Sequence, residues 1–457
     1  MQIYKVFLTI SFLLITGTAL SYDGSDTIQI TEVILHPNDL KTKSGIVLRE
    51  LSFRTTQIMT VEDLIEFHIP RSISNLKNLN LFNQINITPE FVDGNAIITI
   101  TLIEKWYLWP IPYIEFADRN FNQWSTFDFD PTRTNIGLYV FKYNLFGLNH
   151  TIKATFGSGY TKTLGFEYRA PYIDNSKKLG FMLDVRRKSN QEIRYGLINN
   201  KEQFYRSESA DVIKETSAFA KLIFRPGLYV RHSLSANFND IEIDDTVVTE
   251  ELNTSFLFDS LTKQRLTTVA YNISFDNRDN KLFPLTGVYA NVGMAYTAGA
   301  QEFLSVGFDL NFYRPLPLNR MFSRISYTYG DAIDQNLPYN LNQAIGVEQN
   351  VRGYEQYVFL GDQYAILRAE LRYLIIPERD IFLRYMPVKS YKKMPIESYL
   401  SAFYDQAQVI NNGFQTELYG FGIGVNTLIY YDKVFRFEYS WNHWNRSGLK
   451  VHFKKAF

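Results

Sequence analysis

The feature that most constrains the fold of this chain is a repeated alternation of apolar and polar residues. In residues 269–276, valine, tyrosine, isoleucine and phenylalanine fall on one face, and alanine, asparagine, serine and aspartate fall on the other. The same pattern occurs in residues 164–169, 367–375 and 435–441, and such segments recur from about residue 111 to the C-terminus. Because side chains alternate between the two faces of a β-strand, this period predicts a mainly β chain with many strands.

Two architectures fit this alternation: a soluble sandwich and a membrane barrel. The polar face carries charges, the other face carries aromatic residues, and 16% of the chain is aromatic. The roughly 350 residues after residue 107, shared among 16 strands, allow about 22 residues for each strand and its connection, which suits a membrane barrel. Hydrocarbon cannot satisfy open strand edges, so such a sheet must close. We therefore predict a 16-stranded antiparallel transmembrane β-barrel over residues 108–457, and the sandwich stays the alternative.

The N-terminus has the features of a secretory signal peptide. Lys5 precedes an apolar run over residues 6–20, and small residues stand at Ala19 and Ser21. A run of this length is short for a membrane-spanning helix and predicts a signal peptide over residues 1–21. A permanent membrane anchor is the alternative. The sequence has no Cys, which excludes a lipoprotein signal and means that the exported chain is stabilised without disulfides.

Residues 22–107 follow a different pattern, with two helical stretches between strands. Asp93-Gly94 is a hairpin signal, and Pro70 should break or kink the second helix. The predicted order is therefore β-α-α-β-β. The predicted elements are a strand over residues 28–34, helices over 45–53 and 60–79, and strands over 84–91 and 96–103.

This order, together with residues 81–85 and 99–105, resembles a POTRA domain. POTRA domains precede the barrels of BamA/TamA-like assembly factors, of two-partner secretion transporters and of the mitochondrial sorting-and-assembly barrel. The resemblance implies a periplasmic domain over residues 22–107. Only one such domain fits before the barrel, whereas bacterial BamA proteins usually carry several. A generic small α+β domain is the alternative.

Inside the predicted barrel, Val351-Arg352-Gly353-Tyr354 resembles the VRG[FY] tip of a long loop that folds back into the lumen in this superfamily. The segment follows a loop-like stretch and precedes a predicted strand over residues 364–376, as in the family. The chain is thus similar to the BamA/TamA-like outer-membrane protein assembly factors, the bacterial surface antigen family, as a member with a single POTRA domain.

The family pairs the loop arginine with the acidic residue of an F-x-D motif, which Phe403 and Asp405 match here. Strand parity agrees with the match, because Phe403 and Asp405 fall on the lumen side of their strand. The lipid-side residues of that strand are Leu400, Ala402 and Tyr404. The resemblance therefore implies an ion pair between Arg352 and Asp405. A solvated, unpaired Asp405 is the alternative.

A third segment resembles the family's D-x-R-D…P-x-x-G strand–turn–strand motif. It contains Asp276, Arg278 and Asp279, followed by residues 283–287. The parity of the preceding strand places Asp276 and Arg278 on the lumen side. A polar turn between two strands is the plainer interpretation, and the two are compatible.

The C-terminus fits the targeting signal of barrel proteins. The pattern of a polar residue, Gly448, and apolar residues at Val451 and Phe453 is followed by a terminal aromatic, Phe457. This resemblance indicates that the chain is itself a client of barrel assembly. It does not indicate that the chain assembles other proteins.

Other functional classes lack support in the sequence. The six His residues form no metal-like pair, and no catalytic signature or phosphate loop is present, so we expect neither an enzyme nor a cofactor or metal. The formal net charge is zero, which argues against a nucleic-acid binder. His443, near Trp441 and Trp444, is interpreted as part of a membrane-interface aromatic cluster.

The resemblance implies an outer-membrane protein assembly or insertion factor. Its POTRA domain would receive unfolded client proteins in the periplasm, and its barrel seam and inward loop would help to fold or translocate them. The expected partners are unfolded outer-membrane or secreted clients and outer-membrane lipid, and periplasmic or lipoprotein accessory subunits stay open. A dedicated two-partner-type secretion transporter and a structural barrel without assembly activity are the alternatives.

Overall fold

The structure is a computed structural model. It describes residues 27–92, 94–118, 121–208, 210–333, 337–342, 344–347, 349–387, 392–430 and 433–455. The predicted signal peptide, residues 1–21, and Phe457 lie outside the described residues, and Phe453 is described by its backbone alone.

The front domain, residues 27–107, is a four-stranded sheet covered by two helices. Its sheet order is β2-β1-β4-β3, with β1 and β4 parallel and the other pairs antiparallel. The order of helices and strands matches the predicted β-α-α-β-β order, with the short β2 as an addition. The elements are β1 (Thr27–His36), α1 (Ser44–Arg49), β2 (Ile58–Thr60), a π-helical turn (Asp63–His68), α2 (Ile69–Asn78), β3 (Phe82–Val92) and β4 (Asn95–Glu104).

Local chemistry explains the helix ends of the front domain. Pro70 lies inside one continuous helical run over residues 61–78, directly after the π-helical turn, and this irregular turn accommodates the residue without an N–H. Gly94 has φ +74°, which suits the tight turn between Val92 and Asn95. The core between helices and sheet is mainly apolar. It includes Ile30, Ile46, Leu64, Leu76, Ile98 and Ile100.

Within the described residues, sixteen antiparallel strands form one sheet, as the alternation predicts. Each strand pairs with its neighbours along the chain, except that a separate hairpin, β10 and β11, is inserted between β9 and β12. The strands are β5 (Leu108–Phe116), β6 (Thr134–Leu145), β7 (His150–Gly159), β8 (Thr161–Ala170), β9 (Leu179–Asn190), β10 (Glu192–Ile198), β11 (Lys201–Arg206), β12 (Ile213–Phe224), β13 (Val230–Ile243), β14 (Lys263–Asp276), β15 (Gly287–Gly299), β16 (Phe303–Pro315), β17 (Met321–Ala332), β18 (Gln363–Phe382), β19 (Lys393–Asn411), β20 (Phe414–Ile429), β21 (Lys433–Asn442) and β22 (Ser447–Lys455).

The short helices of this part lie in the connections. They are α3 (Phe121–Ser125), α4 (Thr246–Thr249) and two 3-10 turns, Pro131–Arg133 and Phe258–Ser260. In the described part of the chain, no helix has the length and apolar character needed to cross a membrane.

The two faces of the sheet differ as the alternation predicts. Apolar side chains such as Val269 and Ile273 are exposed on the outside, at 47% and 40%. Ser401 and Asp405 face the lumen and are 2% and 1% exposed. An apolar exterior and a polar interior are the reverse of a soluble sandwich and are typical of a barrel in lipid.

The barrel has two distinct ends. The near end holds the front domain and the shorter turns over residues 146–149 and 225–229, whereas the far end carries longer connections such as residues 244–262 and 333–362. At the near end, the β18–β19 hairpin extends past its neighbours, since β17 pairs with β18 only as far as Tyr373. The sequence pattern indicated only the first part of this strand.

The first and last strands define a seam. In the described residues, β5 pairs only with β6, and β22 pairs only with β21. The short helix α3, which follows β5, lies beside β22. The two ends of the sheet therefore approach each other without a backbone ladder between them.

Candidate functional site

The loop tip, residues 351–354, lies inside the barrel against β19. Arg352 is 8% exposed and donates three hydrogen bonds to Asp405. Its backbone N and its Nε reach Oδ2 at 3.1 and 2.9 Å, and Nη2 reaches Oδ1 at 2.6 Å. This fork-to-carboxylate geometry is the strongest form of ion pair available to an arginine. Asp405 is therefore paired and buried rather than solvated.

Two further carboxylates contact the same guanidinium. Nη1 of Arg352 lies 3.3 Å from Glu370 Oε2 and 3.4 Å from Glu438 Oε1. The Cζ atom of Arg352 also lies 3.7 Å from the ring centroid of Phe403, a cation–π contact. One cation thus holds three carboxylates from β18, β19 and β21. Its removal would leave Asp405 and Glu438 as buried carboxylates without this partner, which is costly, whereas Glu370 would keep an ion pair with Arg372.

Three glycines lie on the lumen face of β20, and one of them, Gly420, makes room for the loop tip. The register pairs Asp405 with Gly420 and Phe403 with Gly422, and Gly424 follows on the same face. A Cβ atom at Gly420 would lie 1.8 Å from the Arg352 carbonyl oxygen, and one at Gly422 would lie 2.6 Å from the Phe403 ring. The backbone of the loop can therefore lie against β20 only because Gly420 has no side chain, and Gly422 leaves space for the Phe403 ring.

Gly353 and Tyr354 fix the turn of the loop tip. Gly353 has φ +94°, a conformation that other residues rarely adopt, and its carbonyl accepts a 2.7 Å hydrogen bond from Asn442 Nδ2. The hydroxyl of Tyr354 donates to the carbonyl of Tyr419 at 3.2 Å and hydrogen-bonds His443 Nδ1. The tip is therefore held at the far end as well as in the lumen, and His443 contacts the loop in addition to the neighbouring Trp444.

Arg372 connects this cluster with the turn between β14 and β15. Its Nε donates to Glu370 Oε1 at 2.6 Å, and its Nη1 donates to the carbonyl of Pro284 at 2.6 Å. Its Cζ atom lies 4.1 Å from the ring centroid of Phe283. Arg372 is 2% exposed. The predicted strand–turn motif therefore meets the loop-tip cluster through Arg372, which contacts Pro284 in the turn and Glu370 in the cluster.

Inside the strand–turn motif the predicted residues serve two purposes. Arg278 binds Asp276 through two hydrogen bonds of 2.7 and 3.0 Å. Asp279 Oδ1 instead accepts backbone N–H groups, including those of Leu285 at 3.0 Å and Thr286 at 3.2 Å. Asp276 and Arg278 are thus lumen residues, whereas Asp279 stabilises the turn itself.

The other side of this turn contacts the front domain. Asn78 at the end of α2 donates to the Asp279 carbonyl at 3.1 Å and accepts from the Lys281 backbone N–H at 3.0 Å. A continuous set of polar contacts thus connects the front domain, the strand–turn motif and, through Arg372, the loop tip. Among the described residues, no group of three metal-ligating side chains is present.

Comparison with known proteins identifies the family. A family model described as the Omp85 superfamily domain matches residues 144–441. The chain belongs to the Omp85 superfamily. Barrels of this superfamily are outer-membrane proteins, and so is this chain.

Solved structures show the same fold at low identity. BamA from Haemophilus ducreyi lacking POTRA domains 1-3 is 12% identical, with a TM-score of 0.51, over 93% of this chain and 83% of that chain. CdiB from Acinetobacter baumannii is also 12% identical, with a TM-score of 0.51, over 94% of this chain and 74% of that chain. A search of curated proteins finds no match.

The sequence alone indicated only part of this Omp85 site. Glu370, Arg372 and Glu438 stood on the polar faces of their strands, but nothing in the pattern brought them to Arg352. The three glycines did carry a signal, because Gly420, Gly422 and Gly424 alternate with apolar residues and so share the lumen face. A row of glycines on one face of a strand indicates a close backbone approach.

A second buried ion pair joins the front domain to the barrel. Glu50, which follows α1, is 2% exposed and accepts two hydrogen bonds from Arg225, at 2.5 and 2.9 Å. The Tyr172 hydroxyl donates to the same carboxylate at 2.9 Å. Burial raises the pKa of Glu50, but the hydrogen bonds and charge of Arg225 more than offset this effect, so the pKa of Glu50 lies below its usual value.

Replacing Glu50 with glutamine should loosen this contact. The buried guanidinium of Arg225 would lose its counter-charge, at a cost of about 3–5 kcal/mol. The measurement is the rate of trypsin cleavage after Lys105, in the link between the front domain and the barrel. We expect faster cleavage in Glu50→Gln and the native rate in Glu66→Gln, where the side chain is exposed. Equal rates in all three proteins would contradict the role of this ion pair.

The contact between Glu50 and Arg225 should be lost at low pH. Because the pKa of Glu50 is lower in the folded protein, its contribution is present above the unfolded value of about 4.3 and is lost as pH falls through the folded value. The native chain should therefore resist cleavage equally at pH 7 and pH 5.5. Proteolysis with pepsin at progressively lower pH should show release of the front domain only below about pH 4.

Proposed function

We propose that this Omp85 chain is an outer-membrane protein assembly and insertion factor. In this proposal, residues 1–21 are a signal peptide, residues 22–107 form a periplasmic POTRA domain, and residues 108–457 form the barrel. The POTRA domain receives unfolded clients, and the seam and the inward loop help to fold or translocate them. The observation that carries the proposal is the seam between β5 and β22.

The seam supports a role in accepting client strands, for which a closed pore would have no free strand edge. In the described residues the two terminal strands have no backbone ladder between them, so each has backbone groups on its outer edge, although Pro110 and Pro112 of β5 supply no N–H. Such an edge is a template for another strand, and in hydrocarbon its unpaired groups are unfavourable. Pairing with a client strand satisfies them at the point where the client must enter the bilayer.

The front domain supports the capture of unfolded clients. Its sheet has two edges, the three-residue β2 and the much longer β3. At the end of β3, Phe91 and Val92 are exposed, at 42% and 48%. A long open edge with apolar side chains suits strand addition by an extended polypeptide, in which the backbone supplies most of the affinity.

The contacts of the loop tip support a role in controlling how far the barrel opens at the seam. Arg352 joins carboxylates on β18, β19 and β21, the strands next to the seam on its C-terminal side. We propose that this cluster holds those strands together while β22 and β5 separate. In that case the loop tip sets how far the barrel opens without taking part in any covalent chemistry.

Depletion of the chain tests the proposal. After depletion, the amount of every outer-membrane protein is measured in cells that carry the native gene, an Arg352→Ala variant or no copy. We expect a broad fall in barrel proteins, rescued by the native chain and rescued poorly by the variant. Loss of only one or a few exported proteins would identify a dedicated transporter instead. No change in any outer-membrane protein would contradict both functions.

A further inference from the structure

A cavity of about 430 Å³ lies between the front domain and the near end of the barrel. The front domain closes one side of it with residues at the end of α2, and the barrel supplies strand ends and near-end turns. Its lining contains five basic side chains and only two acidic ones. The basic side chains are Arg169, Arg225, Arg231, Arg278 and Lys281.

Three of the five basic side chains form ion pairs with carboxylates. The pairs are Arg225 with Glu50, Arg278 with Asp276, and Arg169 with Glu167, at 2.5, 2.7 and 2.9 Å. These pairs use both acidic side chains of the lining. Arg231 and Lys281 are therefore left in the cavity without a counter-charge.

The two remaining cations come from neighbouring parts of the barrel. Arg231 is the second residue of β13, and Lys281 lies in the turn between β14 and β15. Within the part of the chain that the structure describes, neither side chain forms a hydrogen bond or an ion pair. Burial and, to a smaller extent, the charge of Arg231 lower the pKa of Lys281 to about 7. The ammonium form of Lys281 is thus unfavourable until an anion enters the cavity.

We infer that this cavity binds a phosphate group, as the free anion or as a monoester, through Arg231 and Lys281. A phosphate monoester carries about −1.5 to −2 charges at neutral pH and has three acceptor oxygens, which suits two cations. The guanidinium fork can bind two of these oxygens, and the ammonium can bind the third. A carboxylate would neutralise only one of the two charges.

The position of the cavity indicates what a bound phosphate would do. The charges of both Arg231 and Arg225 act on Lys281, and Arg225 is the arginine that binds Glu50 of the front domain. An anion beside these cations offsets their mutual repulsion directly beneath the contact between front domain and barrel. A bound phosphate should therefore strengthen this contact. The site lies away from β5 and β22 and is separate from the proposed role of the seam.

The binding experiment is calorimetric titration of the mature chain with inorganic phosphate. The chain is in a non-ionic detergent at neutral pH and about 0.15 M NaCl, which screens exposed charges. We expect Arg231→Gln and Lys281→Gln each to lower the affinity about tenfold, the effect of one hydrogen bond between charged groups. Lys263→Gln is the matched control, since it removes one positive charge from a side chain that is 48% exposed at the far end. Equal affinity in all four proteins would overturn the inference.

A second titration identifies the source of the phosphate group. It uses a short-chain, water-soluble phosphatidate, which has the phosphate monoester of a lipid headgroup. Binding that competes with inorganic phosphate, or that occurs without it, would support the site and assign the ligand to membrane lipid. Binding of inorganic phosphate alone would support the site and assign the ligand to the free anion. Binding of neither would overturn the inference.

Trypsin cleavage after Lys105 measures the effect on the front domain. We expect saturating phosphate to slow this cleavage several-fold in the native chain and to leave the rate unchanged in Arg231→Gln combined with Lys281→Gln. The double variant loses no ion pair, so without phosphate it should fold and resist trypsin as well as the native chain does. A native rate that phosphate does not change, or an equal effect in both proteins, would contradict the role of the anion in this contact.

Discussion

Replacing Arg352 with alanine should release the loop tip and abolish most of the activity while the barrel still inserts. The substitution leaves Asp405 and Glu438 as buried carboxylates without their shared cation, whereas Glu370 keeps its ion pair with Arg372. Loss of one partner of a buried ion pair costs about 3–5 kcal/mol, and the bidentate pair of Arg352 with the buried Asp405 places the effect in that range. Activity is measured as the insertion of an unfolded barrel protein into vesicles that contain the variant.

Two controls separate the loop tip from general damage to the barrel. Lys263→Ala removes an ion pair with Glu242 in which both side chains are nearly half exposed, at 48% and 46%, so it should change stability by at most about 1 kcal/mol. Asp405→Ala combined with Arg352→Ala should cost less than the sum of the two single changes, because they remove opposite charges from one cluster. Native activity in Arg352→Ala would reject the proposed role of the loop tip.

The barrel could be predicted from sequence because its signal is local. Alternation over eight or more residues gives both the strand and the face on which each residue lies. This is why Phe403 and Asp405 could be placed in the lumen before any partner was known. The signal does not say which lumen residues meet, because that depends on the register between strands.

The contacts of Arg352 show what the pattern leaves out. Glu370 and Glu438 are 18 and 86 residues away along the chain, and both reach one guanidinium. Their strands were predicted, and their faces were correct, but a charged residue on a polar face can contact water as readily as an arginine. The resemblance to a family supplied Asp405 as a partner, and only the folded chain supplied the other two.

The ion pair between Glu50 and Arg225 could not be predicted from the sequence for a similar reason. Glu50 and Arg225 are 175 residues apart, and each lies at the end of an element, where charged residues are common. Nothing in the local sequence distinguishes this buried pair from an exposed one. Its burial follows from the packing of the front domain against the barrel, which the local sequence pattern does not describe.

Replacing Gly420 with alanine should displace the loop tip without removing any charge. The new Cβ atom would lie 1.8 Å from the Arg352 carbonyl oxygen, a backbone atom that cannot move away without moving the loop. Overpacking of this kind costs about 1–3 kcal/mol. We therefore expect Gly420→Ala to lower insertion activity and to expose the loop to added protease, as Arg352→Ala does. Gly196→Ala is the matched control, since a Cβ atom there meets nothing within 4 Å.

The double variant distinguishes a displaced loop from a distorted strand. If Gly420→Ala acts by pushing out the loop tip, it adds nothing once Arg352→Ala has already released it, and the double variant should match the single arginine variant in activity and stability. If instead the alanine distorts β20, the two losses should add, because they arise from independent causes. Additive losses would show that the alanine distorts β20. Gly420 would then be required for the conformation of the strand and not for the space that the loop occupies.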